Sequence, residues 1–290
     1  MRARSLAGAA LLAAVCASCA APRTLEDVPY DRRHGDATTL DLYLPDDGRL
    51  HPAVMMIHGG AWTFGDKRHF ARMGERLARS GWVAASVNYR LLPEGAYPRM
   101  FQDVGCALAF LQDHATDYGI DPDRIAVLGY SAGGHLASLL GVAWDEDAFA
   151  PDCDAGRPSA PAAVIPGAGI HDFLLREPHE LFVELLGGTR DEVPERYELA
   201  SPARHVREGE APYLLIVGGS DWIADPAQSE RMRAALVARG NEASLLELAG
   251  GGHLLNSTAD PGELQLLVPL ETPEGWLAIT DFLLRELGEP

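Results

Sequence analysis

The chain is poor in what a metal site, a nucleic-acid partner or a membrane span would require. Its 290 residues hold four cysteines and ten histidines, yet there is no H-E-x-x-H and no paired C-x-x-C. The spacings of zinc ligands are therefore missing, and neither a metal nor another cofactor is expected. Basic residues are scarce, with 24 Lys and Arg against 42 Asp and Glu. A nucleic-acid partner calls for a basic face, so the acidic balance argues against one and is read as a soluble surface. Internal repeats and low-complexity tracts are lacking too, and no shift in composition suggests a linker between domains.

What long apolar runs there are stand at the start. Arg2 and Arg4 precede the ten-residue apolar run Leu6–Val15, which is followed by Cys16-Ala17-Ser18-Cys19-Ala20. A run of ten is too short for a transmembrane helix and has the order of a secretory leader. The small residues before Cys19 resemble a bacterial lipobox, although Cys16 stands where leucine is usual. Residues 1–19 are thus expected to be a signal and lipobox region, with residues 20–290 forming a single domain. The body is expected outside the cytoplasm, as a periplasmic or cell-surface lipoprotein with a membrane tether on Cys19; plain cleavage and soluble secretion is the alternative. Cys106 and Cys153 remain in the body. Cys106 falls in an apolar helical run and reads as a small buried side chain, and nothing in the sequence brings it to Cys153, so no disulfide is expected.

The pattern richest in chemistry is Gly129-Tyr130-Ser131-Ala132-Gly133. The apolar run Ile125–Leu128 precedes it and a helical pattern from Ala132 follows. G-x-S-x-G between a strand and a helix is the context of a nucleophile elbow, where glycines allow strand and helix to approach. A serine hydroxyl needs a base, and the base an orienting acid. In chain order the acid should come next and the histidine last. Asp221 follows the buried-strand run Tyr213–Val217, at the strand edge where α/β sheets place their sites. Asp225 is the rival, but Asp225-Pro226 before a helical pattern reads as an N-cap. Of the ten histidines, His253 alone follows the last long strand, in Ala249-Gly250-Gly251-Gly252-His253. His34, His51, His69, His114, His179 and His205 lie in polar surroundings and are expected to be solvated. His135 is expected to pack locally, and His171 to line the pocket. Upstream, the run Ala53–Ile57 leads into His58-Gly59-Gly60-Ala61-Trp62, close to the H-G-G-G loop whose N–H groups face a developing oxyanion. The oxyanion donors are expected at Gly60, Ala61 and Ala132. Trp62, Tyr130, Trp222 and Leu254 adjoin these elements and are candidates for substrate binding.

These motifs resemble the α/β-hydrolases that carry H-G-G-x-W, the carboxylesterase group with acetyl-esterase-like and feruloyl-esterase-like members, related to kynurenine-formamidase-like hydrolases. The resemblance is carried by HGGAWTFGDK (58–67), VNYRL (87–91), YPRMFQDVGCALAFL (97–111), DPDRIAVLGYSAGGHLAS (121–138), ASPARHV (200–206), GGSDWIADPAQSERM (218–232) and GGGH (250–253). Ala61 departs from a third glycine, and Asp225 from a proline or small residue. The resemblance implies a serine carboxylesterase acting on short-chain or aromatic acyl esters, with a carbohydrate among the alcohols. An arylformamidase on the same residues is the alternative reaction, and a non-catalytic binding protein the alternative class. The chain lacks a long apolar lid segment that would point to a lipase.

Periodicity predicts strands over 28–33, 40–44, 53–57, 83–87, 125–128, 162–165, 214–217 and 243–248, the first two as a hairpin. It predicts helices over 67–80, 99–116, 132–142, 180–186, 227–239 and 273–287, the last capped by Thr272. Alternation of strand and helix implies a mostly parallel sheet of about eight strands covered on both faces, an α/β-hydrolase fold. The irregular stretches 145–161 and 171–207 are expected to wall the pocket.

Overall fold

A computed structural model describes residues 22–177, 179–253 and 269–290. Eight strands follow the chain as β1 (Arg23–Pro29), β2 (Thr39–Leu44), β3 (His51–Ile57), β4 (Val83–Val87), β5 (Ile120–Tyr130), β6 (Ala163–Gly167), β7 (Tyr213–Gly218) and β8 (Ala243–Leu248). They form one sheet in the order β1-β2-β4-β3-β5-β6-β7-β8. β1 with β2, and β2 with β4, are antiparallel; the remaining pairs are parallel. β3, β4 and β7 are buried at every residue, which is why their apolar runs do not alternate. β8, at the edge, is only partly buried.

The helices are α1 (Ala71–Arg79), α2 (Arg99–Asp113), α3 (Ala132–Ala143), α4 (Glu180–Leu186), α5 (Pro194–Leu199), α6 (Pro226–Ala238) and α7 (Pro273–Leu287). α1 and α7 meet where the Arg76 guanidinium stacks 3.7 Å over the Trp276 ring. α2 packs beside α3, and α6 lies over β7 and β8. Thr272 caps α7 by accepting from the Gly275 N–H at 2.9 Å, as its sequence position predicts.

Four local expectations are corrected. The first strand runs over Arg23–Pro29, and the expected hairpin turn is instead a 3-10 segment over Arg32–Thr38. A bulge between Leu25 and Val28 sets the register, with Asp27 at φ 55°. Its cause is tertiary: the Asp27 N–H donates to Asp41 Oδ1, and the buried Lys67 ammonium bridges Asp27 and Asp41 at 2.7 and 2.6 Å. His51 is not solvated; it opens β3, is 1 % exposed, and its Nε2 lies 2.7 Å from Asp47 Oδ1. The Pro194–Leu199 helix falls inside a stretch expected to be irregular. Finally, Cys106 and Cys153 are joined, with Cα atoms 6.1 Å apart across 47 residues of chain. The 145–161 segment folds back over α2, where Phe149 packs on Phe101 at 5.0 Å between ring centroids and Pro151 abuts Gly105. That contact lies between distant stretches and leaves no mark in the sequence around either cysteine.

Candidate active site

Three loops at the carboxyl edge of the sheet converge. The first is the turn from β5 into α3, where Ser131 takes φ 56° and ψ −118°. Positive φ in a non-glycine residue is strained, costing roughly 1–3 kcal/mol, and persists only where surroundings dictate it. They do so here through the neighbouring glycines. A Cβ on Gly129 would stand 2.1 Å from the Gly133 carbonyl oxygen, and one on Gly133 would stand 2.0 Å from that of Ile57. Both positions must be glycine for strand and helix to close on the turn. The Ser131 N–H donates to the Gly167 carbonyl at 2.8 Å, which pins the turn to β6.

The second loop follows β7. Asp221 has a buried side chain. Its Oδ1 accepts from the Ile223 and Ala224 N–H groups at 2.9 and 2.8 Å, which leaves Oδ2 to face the imidazole of His253 at 2.7 Å. Asp225 lies apart from this chain of contacts and caps α6, accepting from the Ala227 N–H at 2.9 Å.

The third loop follows β8 and ends at His253. Its Nδ1 meets Asp221 Oδ2, and its Nε2 lies 2.9 Å from Ser131 Oγ. A carboxylate can only accept, so Nδ1 carries the proton and Nε2 presents its lone pair to the serine hydroxyl. The structure thus brings Ser131, His253 and Asp221 into one hydrogen-bonded row.

Beside them runs the loop after β3. Gly60 has φ 121°, Ala61 φ 50° and Trp62 φ 59°. The Gly60 carbonyl accepts from the Thr63 and Phe64 N–H groups at 3.0 Å each. Among the described residues the N–H groups of Gly60 and Ala61 have no hydrogen-bond partner. Ala132 is the first residue of α3, so its N–H has no acceptor within the helix. Trp62 holds the strained loop down. It is buried, its ring centroid 5.5 Å from that of His135 and 6.1 Å from that of Phe173, and its carbonyl accepts from the Leu92 N–H at 2.8 Å.

The other predicted site residues fall unevenly. Trp222 is 81 % exposed next to Asp221. Tyr130 is 4 % exposed, and its hydroxyl donates to the His253 carbonyl. Leu254 and Cys19 lie outside the described residues. His171 is fully buried, with no partner for either ring nitrogen among the described residues. Burial pushes it down to about 3, and pushes His135 and His58 down to about 4 each, so all three are neutral near neutral pH. His135 is buried, but its side-chain partners are distant in the chain rather than local: its Nε2 lies 2.8 Å from the Ala200 carbonyl oxygen, and its ring meets those of Trp62, Phe101 and Phe173. Phe173 and Phe182, which wall in Trp62, carry no signal in the sequence, because an aromatic residue in an irregular stretch gives no sign of its partner. Behind the loop after β3 lies a cleft of about 620 Å³, lined by His34, Asp36, His58, Tyr89, Glu94 and Arg99 among others.

The BD-FAE family model matches residues 40–236. The chain belongs to the BD-FAE family. Its curated relatives include the probable carboxylic ester hydrolase LipM of Mycobacterium tuberculosis, 35 % identical over 71 % of this chain and 49 % of LipM. Esterase LipC of the same organism is 34 % identical over 76 % of this chain and 58 % of LipC. The BD-FAE chain therefore spans about half the length of the curated relatives it matches. Among solved structures, a truncated carbohydrate esterase from gut microbiota superposes with a TM-score of 0.79 at 24 % identity, over 91 % of this chain and 96 % of that one. A thermophilic esterase of Thermogutta terrifontis gives 0.72 at 23 % identity, over 91 % and 92 %. These likenesses show the α/β-hydrolase fold.

Proposed function

We propose that this chain is an exported serine carboxylesterase. The observation that carries the reading is the row from Ser131 Oγ through His253 to Asp221, at 2.9 and 2.7 Å. In the proposed reaction Ser131 Oγ attacks the ester carbonyl while His253 Nε2 takes its proton. Asp221 holds the imidazole by Nδ1 and stabilises the imidazolium. The negative charge that forms on the carbonyl oxygen is met by the N–H groups of Gly60, Ala61 and Ala132. The alcohol leaves with the proton from Nε2. Water then attacks the acyl-enzyme by the same route, with His253 again as base, and frees the acid.

The proposed substrate is an ester of a short-chain or aromatic acid, with a carbohydrate among the alcohols. The curated relatives, a probable carboxylic ester hydrolase and an esterase, support an ester, and the likeness to a carbohydrate esterase supports the sugar. Exposed Trp222 offers an apolar face beside the site. The test is a series of p-nitrophenyl esters from C2 to C12, with acetylated xylan, methyl ferulate and N-formylkynurenine. Expected is a kcat/KM highest at C2–C4 or on the feruloyl ester. A maximum at C10 or beyond, or a preference for the formamide, would overturn the substrate assignment.

Export is proposed on two grounds. One is the basic and apolar leader with its cysteine. The other is the Cys106–Cys153 bond, since disulfides persist in oxidising compartments. Intact-mass measurement of the native protein is expected to show the chain starting at a diacylated Cys19, with Cys106 and Cys153 resistant to alkylation until reduced. A lipid-free start at Ala20 or later removes the tether alone. Retained Met1 with two alkylatable body cysteines removes export.

A further inference from the structure

The loop that carries His253 contains three successive glycines, Gly250 to Gly252, and glycine backbones lose the most freedom on being held in one place. Main-chain bonds hold the base of that loop, and two of them involve Gly251. The Gly251 N–H donates to the Leu248 carbonyl at 3.0 Å, and the Ser220 N–H donates to the Gly251 carbonyl at 2.8 Å. Both stop two residues short of the imidazole. At His253 itself, the main-chain carbonyl accepts from the Tyr130 hydroxyl, and the two rings lie 5.4 Å apart between centroids. Among the described residues this is the one hydrogen bond to the His253 main chain.

Tyr130 is itself firmly held. It is the last residue of β5 and directly precedes Ser131. Its ring lies over Gly167, where an added Cβ would stand 2.7 Å from Tyr130 Cδ2 and 2.8 Å from Leu270 Cδ2. Burial raises its phenol well above the ordinary range, so the hydroxyl stays protonated and donating throughout an assay.

We propose that Tyr130 is a positioning residue for the base: its hydroxyl, bonded to the His253 carbonyl, holds the imidazole where one nitrogen meets Asp221 and the other Ser131. The residue before the nucleophile thereby fixes the loop that carries the base, so that elbow and base keep one spacing through both acyl-transfer steps. The inference rests on the hydrolase reading above and reassigns Tyr130 from substrate contact to alignment of the base.

Tyr130→Phe tests it, because the ring and its place over Gly167 remain while the donor is lost. For p-nitrophenyl acetate, kcat is expected to fall about 10- to 100-fold with KM changed less than about twofold, the scale of losing an outer partner that orients a functional histidine. The low-field proton resonance of the His253–Asp221 hydrogen bond should broaden or vanish, while the thermal midpoint stays within a few degrees of wild type. A variant whose kcat stays within about twofold of wild type overturns the proposal. So does a variant that loses activity with the resonance unchanged, or only along with its fold. Ser131→Ala, assayed in parallel, separates this from the hydrolase reading: if that variant keeps full activity, the reading falls as a whole, whatever Tyr130→Phe does.

Discussion

Ser131→Ala is expected to lower kcat on p-nitrophenyl acetate by about 10⁴-fold or more while leaving the fold intact. The substitution removes Oγ, whose hydrogen bond in the structure is with His253 Nε2 at 2.9 Å. The structural partners of the turn are main-chain atoms and survive: the Ser131 N–H still reaches the Gly167 carbonyl, and the Ser131 carbonyl still accepts from the His135 N–H at 3.0 Å. Alanine meets the same positive φ as serine, so strain at the turn is little changed. On the proposed mechanism, what remains is the slow attack of water on an ester held against the Gly60, Ala61 and Ala132 N–H groups. Steady-state kinetics, labelling by a fluorophosphonate probe and a thermal melt together decide the matter. Wild-type turnover in the variant would refute the mechanism, and failure of the probe to label folded wild-type protein would favour a binding protein that keeps the fold without the chemistry.

Asp221→Asn and Asp225→Asn should differ by orders of magnitude although only three residues separate them. Oδ1 of Asp221 is engaged by two N–H donors, from Ile223 and Ala224. An asparagine there must keep its oxygen toward those donors and turn its NH₂ toward His253. A donor facing Nδ1 requires the imidazole to carry its proton on Nε2, and Nε2 can then no longer accept from Ser131. The expected cost is about 10⁴-fold in kcat. The Asp225 side chain accepts from the Ala227 N–H in its capping role, and asparagine caps about as well as aspartate, so the second variant should lose well under about 1 kcal/mol of stability and keep its activity. Kinetics and melting curves of the pair test this, and the reverse ranking would place the acid at Asp225.

The order of the site along the chain is legible in the amino-acid sequence. Ser131 and Asp221 each follow an apolar run, and such a run, buried on both faces, is a parallel strand whose carboxyl end opens toward the site, while His253 follows the partly buried edge strand β8. Asp225 can be set aside from local chemistry alone, because an aspartate before a proline at the head of a helical pattern has its own N–H to satisfy. The closing helix and its Thr272 cap are legible for the same reason: capping is settled between residues three apart.

Tertiary structure decided whatever depends on contacts between distant segments. The sequence around Cys106 describes a buried helical face, and only the folding of the 145–161 segment over α2 brings Cys153 to it. His51 sits among polar neighbours in the chain, yet at the head of a central strand it is enclosed. The shape of β1 follows from Lys67, forty residues on, which draws Asp27 and Asp41 together. Tyr130 reads as a pocket side chain because it adjoins the nucleophile, but its position in β5 turns the ring toward Gly167 and its hydroxyl toward the His253 carbonyl. Local pattern determines which residues can form strands, turns and caps, since those choices are settled within a few residues. Which side chains meet across the sheet is settled by packing, and packing joins residues that have no relation in sequence.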